Sequence, residues 1–116
     1  MTDIIVVIIE RSGGRIRSLK DLAYFLKDNL NLGSYKITHE EPGLIPLLPK
    51  KSERIVSNAA RYGGAVKLLM NAFNLDRKQA EDVLDLLEDA GWIKIERMLP
   101  DWTMGWRDSS LVIFNI

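Results

Sequence analysis

Between Asp76 and Arg97 the chain leaves little freedom of local structure. Asp76 and Gln79 form an Asp-x-x-Gln variant of the capping box, in which each side chain satisfies a backbone N–H of the other residue. Leu75, just outside the cap, is placed to pack on Ala80 as a hydrophobic staple. Ala80, Val83, Leu84 and Leu87 then recur at helical spacing. Gly91 supplies the left-handed stop. Trp92-Ile93-Lys94-Ile95-Glu96-Arg97 follows at once and alternates apolar with polar, as a half-buried strand does. The expectation is a helix over 76–90 feeding a strand. A second strand over 110–116 closes a C-terminal hairpin, and the loop between the strands carries Pro100, Trp102, Gly105 and Trp106.

Upstream, the signals are more scattered. Residues 3–11 are apolar on nearly every side, and period alone does not separate buried helix from buried strand. The β-branched run Ile4 to Ile9 leaves a strand paired with 110–116 as an alternative fold. Glu10 and Arg11 extending the run, and Ser12-Gly13-Gly14 stopping it, favour helix. Ser18 reads as an N-cap with Asp21 as its capping-box partner. Leu19, Leu22, Ala23, Leu26 and Leu30 continue a second helix to about residue 30. Pro42, Gly43, Pro46 and Pro49 make 33–51 a connector, with Tyr35 to Thr38 able to form a short strand. Ser52 reads as the cap of a third helix to Tyr62, with Ile55, Val56, Ala59 and Ala60 on one side and Gly63-Gly64 as its stop. A fourth helix spans 65–73, with Val66, Leu69, Met70 and Phe73 on one face.

The fold expected from this order is mainly α with a C-terminal β-hairpin. It is one domain over 1–116, comprising a helical extension (1–32), a proline-rich connector (33–51) and a helix-and-hairpin module (52–116). The apolar fraction of 47% suffices for one modest core and speaks against disorder. The chain has no cysteine, which removes disulfides, thiolate metal sites and cysteine nucleophiles. No apolar run approaches a membrane span and no leader pattern is present, so the expected compartment is the cytoplasm, with no membrane partner. His39 is the single histidine, and no spacing gives it carboxylate partners for a metal site. No nucleophile–base pair can be read, so neither an enzyme nor a cofactor is expected.

Sixteen basic residues balance sixteen acidic ones, but they are segregated. Lys50 to Lys78 holds seven basic residues against two acids, and Gln79 to Asp101 holds seven acids against Lys94 and Arg97. Segregation of this kind is what a positioned binding face needs.

The segment from Ser52 to Ile116 resembles the winged-helix (winged helix-turn-helix) superfamily. The densest match is Leu84-Asp85-Leu86-Leu87-Glu88-Asp89-Ala90-Gly91-Trp92-Ile93-Lys94-Ile95-Glu96-Arg97, a leucine-rich helix end, a glycine and a strand. In size and lack of cysteine the chain is similar to small winged-helix regulators of archaea and their viruses. The resemblance implies a winged helix preceded by two additional N-terminal helices, acting as a transcriptional regulator on duplex DNA. Such proteins dock the first turn of the third helix in the major groove and are commonly two-fold symmetric, so a homodimer with its contact in 1–32 is implied. Arg77, Lys78 and Gln79 would meet base edges, with arginine suited to guanine and glutamine to adenine. Lys67 and Arg61 would meet the phosphate backbone, and Arg97 and Arg107 would serve the 98–109 loop as a wing. The helix is basic only in its first turn, because Glu81, Asp82, Asp85, Glu88 and Asp89 follow, so only a tip-first approach suits a polyanion. The rival expectation is a protein-interaction adaptor without DNA binding. The acidic helix face and Trp102 and Trp106 would then be its contact surfaces.

Overall fold

A computed structural model describes residues 4–41, 50–96 and 110–116, with side chains at 38–41 and 50–52 left out of the description. The described elements are α1 (Ile4–Arg11), α2 (Leu19–Asn29), β1 (Gly33–Glu41), β2 (Lys50–Arg61), α3 (Tyr62–Phe73), α4 (Arg77–Asp89), β3 (Ile93–Glu96) and β4 (Leu111–Phe114). The strands form one antiparallel sheet in the order β1-β2-β4-β3. The architecture is therefore mixed α/β, where a mainly α chain was expected.

Both N-terminal helices form where expected. Residues 4–11 are helical, and 111–114 pair with β2 and β3, so the alternative sheet joining the chain's two ends is overturned. Ser12 is buried where α1 stops, its Oγ accepting from the Ile16 N–H (3.1 Å) across a turn in which Gly13 and Gly14 take φ of 68° and 89°. Ser18 caps α2 by accepting from the Asp21 N–H, and the Asp21 carboxylate answers by accepting from the Arg17 N–H.

Residues 52–61 of the expected helix are instead part of strand β2, and the short strand allowed at Tyr35 to Thr38 of the connector extends to β1 over 33–41. The apolar residues of 55–60 do not share a buried helical face: Ile55 is 74% exposed while Ala59 and Ala60 are buried. Tyr35, Lys36 and Ile37 pair with Val56, Ile55 and Arg54, and this long-range pairing overrides the local cap signal at Ser52. The fourth helix consequently starts early, at Tyr62. Gly63 and Gly64, expected as a stop, lie in its first turn. No atom outside the helix's own surroundings lies within 4 Å of where a Cβ on Gly64 would sit, and its φ is not positive. Gly64→Ala is accordingly expected to stabilise the protein by about 0.5–1 kcal/mol, chiefly by restricting the unfolded chain, as read by urea denaturation.

One cluster fills the space between helices and sheet. It includes Ile8 of α1, Leu22 and Leu26 of α2, Val66 and Leu69 of α3, Val83, Leu84 and Leu87 of α4, and Ile93, Val112 and Phe114 of the sheet. Leu75 and Ala80 both join it, and Trp92 packs half-buried against it. The side of α4 expected to face inward does so.

The strand β2 serves two partners. Its first part pairs with β1, and Ala59, Ala60 and Arg61 pair with β4. Between them lies a bulge: the pairing shifts by one residue between Gly33 and Tyr35, and Asn58 adopts φ 56°. Asparagine tolerates this left-handed conformation better than most residues. The bend has a large consequence. Arg61 and Glu96 both pair with Leu111 and so lie level in the sheet. An unbent β2 would carry Arg54 about 23 Å along the strand from that level. Yet Arg54 Nη2 lies 2.7 Å from Glu96 Oε2. The β1–β2 hairpin thus turns back at Asn58 and lies over the sheet face that carries Glu96. Ile37, which pairs with Arg54, is buried although it is not part of the central cluster.

Candidate nucleic-acid interface

The helix pair α3–α4 is joined by three residues, Asn74, Leu75 and Asp76. Asn74 closes α3 in the left-handed conformation (φ 52°), and the Leu75 N–H reaches the Met70 carbonyl at 3.1 Å. Asp76 opens α4 with both halves of the capping box made: Asp76 Oδ1 accepts from the Gln79 N–H at 2.7 Å, and Gln79 Oε1 accepts from the Asp76 N–H at 3.0 Å. At the far end, the Gly91 N–H bonds the Glu88 carbonyl and the Trp92 N–H bonds the Leu87 carbonyl, with Gly91 at φ 86°. That pair of bonds is a Schellman closure. The helix is fixed at both ends and along its inner stripe.

What α4 turns outward follows from that fixation. Arg77 and Lys78 are exposed on the first turn, and Arg77 keeps a long contact with Glu81 (3.8 Å, i,i+4) while its side chain remains about half exposed (49%). Such pairs are worth a few tenths of a kcal/mol and yield to a stronger anion. Asp82, Asp85, Leu86 and Asp89 are exposed further along. Lys67 is exposed on α3, and Arg61 is exposed where β2 ends and α3 begins. Gln79 is half-buried, and its Oε1 already serves the cap. A bidentate pairing with adenine would compete with that bond. Arg97 and Arg107, Trp102 and Trp106, and the whole 98–109 loop lie outside the described residues, as do the side chain of His39 and the apolar residues of 44–48.

Two features were not read from the sequence. Glu88, read there only as one of the acids of the helix, accepts the Ile95 N–H through Oε2 at 2.6 Å and so covers the outer edge of β3. Among the described residues Glu96 holds two cations, Arg54 at 2.7 Å and Lys94 at 3.5 Å, although its own side chain is only 13% exposed. The alternation of 92–97 places Lys94 and Glu96 on one face, which is a usable signal. Nothing local points to Arg54, because its position depends on the bend at Asn58.

Burial pushes the Glu96 carboxyl up. The hydrogen bond and charge of Arg54, joined by the charge of Lys94, more than offset this, and the group titrates below its ordinary value. A carboxyl lowered by folding stabilises the fold above its unfolded pKa and loses that contribution as pH falls through the lowered, folded value. Glu96→Gln is therefore expected to melt below the wild type at neutral pH. The two melting curves should converge as the pH is taken below the carboxylate range.

Among the described residues no group of three or more histidine, cysteine, aspartate or glutamate side chains is placed to hold a metal, and no helix is long and apolar enough to cross a membrane. Comparison with known proteins gives no significant match to a family model, a curated protein or a solved structure.

Proposed function

We propose that the chain is a winged-helix protein that binds duplex DNA tip-first through the first turn of α4 and acts as a cytoplasmic transcriptional regulator rather than an enzyme. In this reading α2, the end of β2, α3, α4, β3 and β4 make the module, with sheet order β2-β4-β3, and α1 and the β1–β2 hairpin are additions. The observation that carries it is the cationic, exposed turn at Arg77 and Lys78, held at the capped end of a helix whose inner stripe is fully buried. Arginine pairs with guanine edges, and lysine and arginine side chains meet phosphate. Lys67 and Arg61 supply backbone contacts, the segment 98–109 acts as the wing with Arg97 and Arg107, and Gln79 is reserved for the cap. Val6 (47% exposed) and Tyr24 (41%), apolar positions on α1 and α2, support a homodimer contact within residues 1–32.

Binding to a duplex, measured by fluorescence anisotropy across a salt series, tests the reading. The expected result is an affinity that falls steeply and linearly on logarithmic axes as salt rises. Absence of duplex binding at low salt would overturn it. A second reading draws on one specific observation: Leu86 is exposed between Asp82, Asp85 and Asp89 on the outer side of α4. There the module is a protein-interaction adaptor, with Trp102 and Trp106 as further contacts. Leu86→Arg would abolish its partner binding while leaving the fold intact.

A further inference from the structure

Cations gather around the margin of the outer sheet face, whose middle is covered where Leu111 is buried. Residues directly opposite one another in an antiparallel pair project to the same side, so Arg61, Leu111 and Glu96 share a face. Lys94 lies two residues before Glu96 on the same strand and therefore on the same side. Arg54 joins them from the folded-back hairpin through its 2.7 Å contact with Glu96. Arg61 sits two strands from Glu96, roughly 10 Å away. Two cations thus hold one carboxylate, and a third lies two strands away on the same side. All three are solvent-facing: Arg61 is exposed, and the side chains of Arg54 and Lys94 are 48% and 59% exposed.

The carboxylate acts as an organiser more than as a neutraliser. Glu96 is the least exposed member, and it fixes the positions of a guanidinium and an ammonium on the surface above it. An Arg guanidinium has five N–H donors, and one contact with Glu96 leaves donors directed to solvent. A lysine held at 3.5 Å from its partner is a point charge readily shared with a second anion. Charges fixed in advance lose less side-chain freedom when they meet a ligand. An extended array of single negative charges at intervals of several ångströms suits three spaced cations better than one compact anion does. That describes a phosphodiester backbone.

We infer that Arg54 and Lys94, beside Arg61 of the first interface, form a second contact site for the backbone of duplex DNA, assembled by Glu96 and by the bend of β2 at Asn58. The inference rests on the duplex-binding reading and extends it from the α4 tip to the exposed cations at the margin of the outer sheet face. It reads no bases and contributes affinity without sequence preference. The β1–β2 hairpin thereby gains a role, as the element that brings Arg54 to the sheet.

The test uses the full chain and one duplex in a salt series, comparing wild type with Arg54→Gln/Lys94→Gln and, separately, with Arg77→Ala/Lys78→Ala. Circular dichroism and thermal melting establish that each variant is folded, and Lys94→Gln alone, which leaves the Arg54–Glu96 pair in place, is carried alongside. The double glutamine variant is expected to lose affinity several-fold or more for matched and scrambled duplexes alike. Its logarithmic salt slope should be shallower than that of the wild type by about 2, at roughly 0.9 per phosphate contact removed. Lys94→Gln should give about half that change. If wild type binds and Arg77→Ala/Lys78→Ala impairs it, while the glutamine variants keep both wild-type affinity and slope, the second site is refuted and the α4 reading stands. If wild type binds no duplex, both fall together.

Discussion

Arg77→Ala/Lys78→Ala is expected to weaken duplex binding on the order of a hundredfold, with each residue contributing about 1–3 kcal/mol if it meets a base edge or phosphate. The double change should leave the fold nearly untouched. Both side chains are exposed, and the Arg77–Glu81 contact is long and half solvated. A cation on the first turn of a helix also opposes the helix dipole, so alanine there is neutral to slightly favourable for stability. The cap does not depend on either residue, since it is closed between Asp76 and Gln79. Loss of binding with an unchanged melting curve would therefore reflect the interface alone. The same variant gives a second reading. If base edges are met, discrimination between the preferred duplex and a scrambled one falls along with affinity. If only phosphates are met, the salt slope falls and discrimination does not. Unchanged affinity and slope would remove α4 from the interface.

The parts of the chain that were legible in the sequence are those whose signals are local. Asp76, Gln79, Ala80, Leu84 and Gly91 lie within sixteen residues and act on one another through bonds across one helical turn, and all behave as read. Ser18 is a second case as the cap of α2, although the Asp21 carboxylate returns to the Arg17 N–H and leaves the expected capping box half made. The hairpin failed for the opposite reason. Ser52 followed by Ile55, Val56, Ala59 and Ala60 fits a helix as well as a strand, and the choice is made by Tyr35, Lys36 and Ile37, some twenty residues earlier. Short apolar runs cannot carry that information. The site divides along the same line. Arg77, Lys78, Lys67 and Arg61 are exposed as expected. Arg54 and Glu96 meet only because β2 bends at Asn58, a backbone event with no side-chain periodicity to announce it. Gln79 fitted two roles from sequence, and the nearer partner, the Asp76 backbone, took its carbonyl.

Arg11→Met is expected to cost about 2–3 kcal/mol of stability, the other large effect foreseen for this protein. Arg11 stands at the end of α1, and its Nη1 donates to the carbonyls of Phe73 and Asn74, each at 2.7 Å. These carbonyls close α3, where the helix dipole places partial negative charge and no intrahelical donor remains. One guanidinium nitrogen thus satisfies two acceptors some sixty residues away in sequence and ties α1 to the turn between α3 and α4. Methionine keeps most of the aliphatic stem and removes both donors, so the loss measures the hydrogen bonds rather than packing. Lysine at the same position retains the charge but not the planar fork, and it should recover only part of the difference. Urea denaturation separates the three proteins. The position of Arg11 also bears on function. The turn it grips sets the angle between α3 and α4, and so the direction in which Arg77 and Lys78 project. Arg11→Met should bind duplex more weakly than its folded fraction accounts for, because a loosened turn leaves the α4 tip less well aimed. If the variant matches wild type in both stability and affinity, the first helix is packed against the module without governing it.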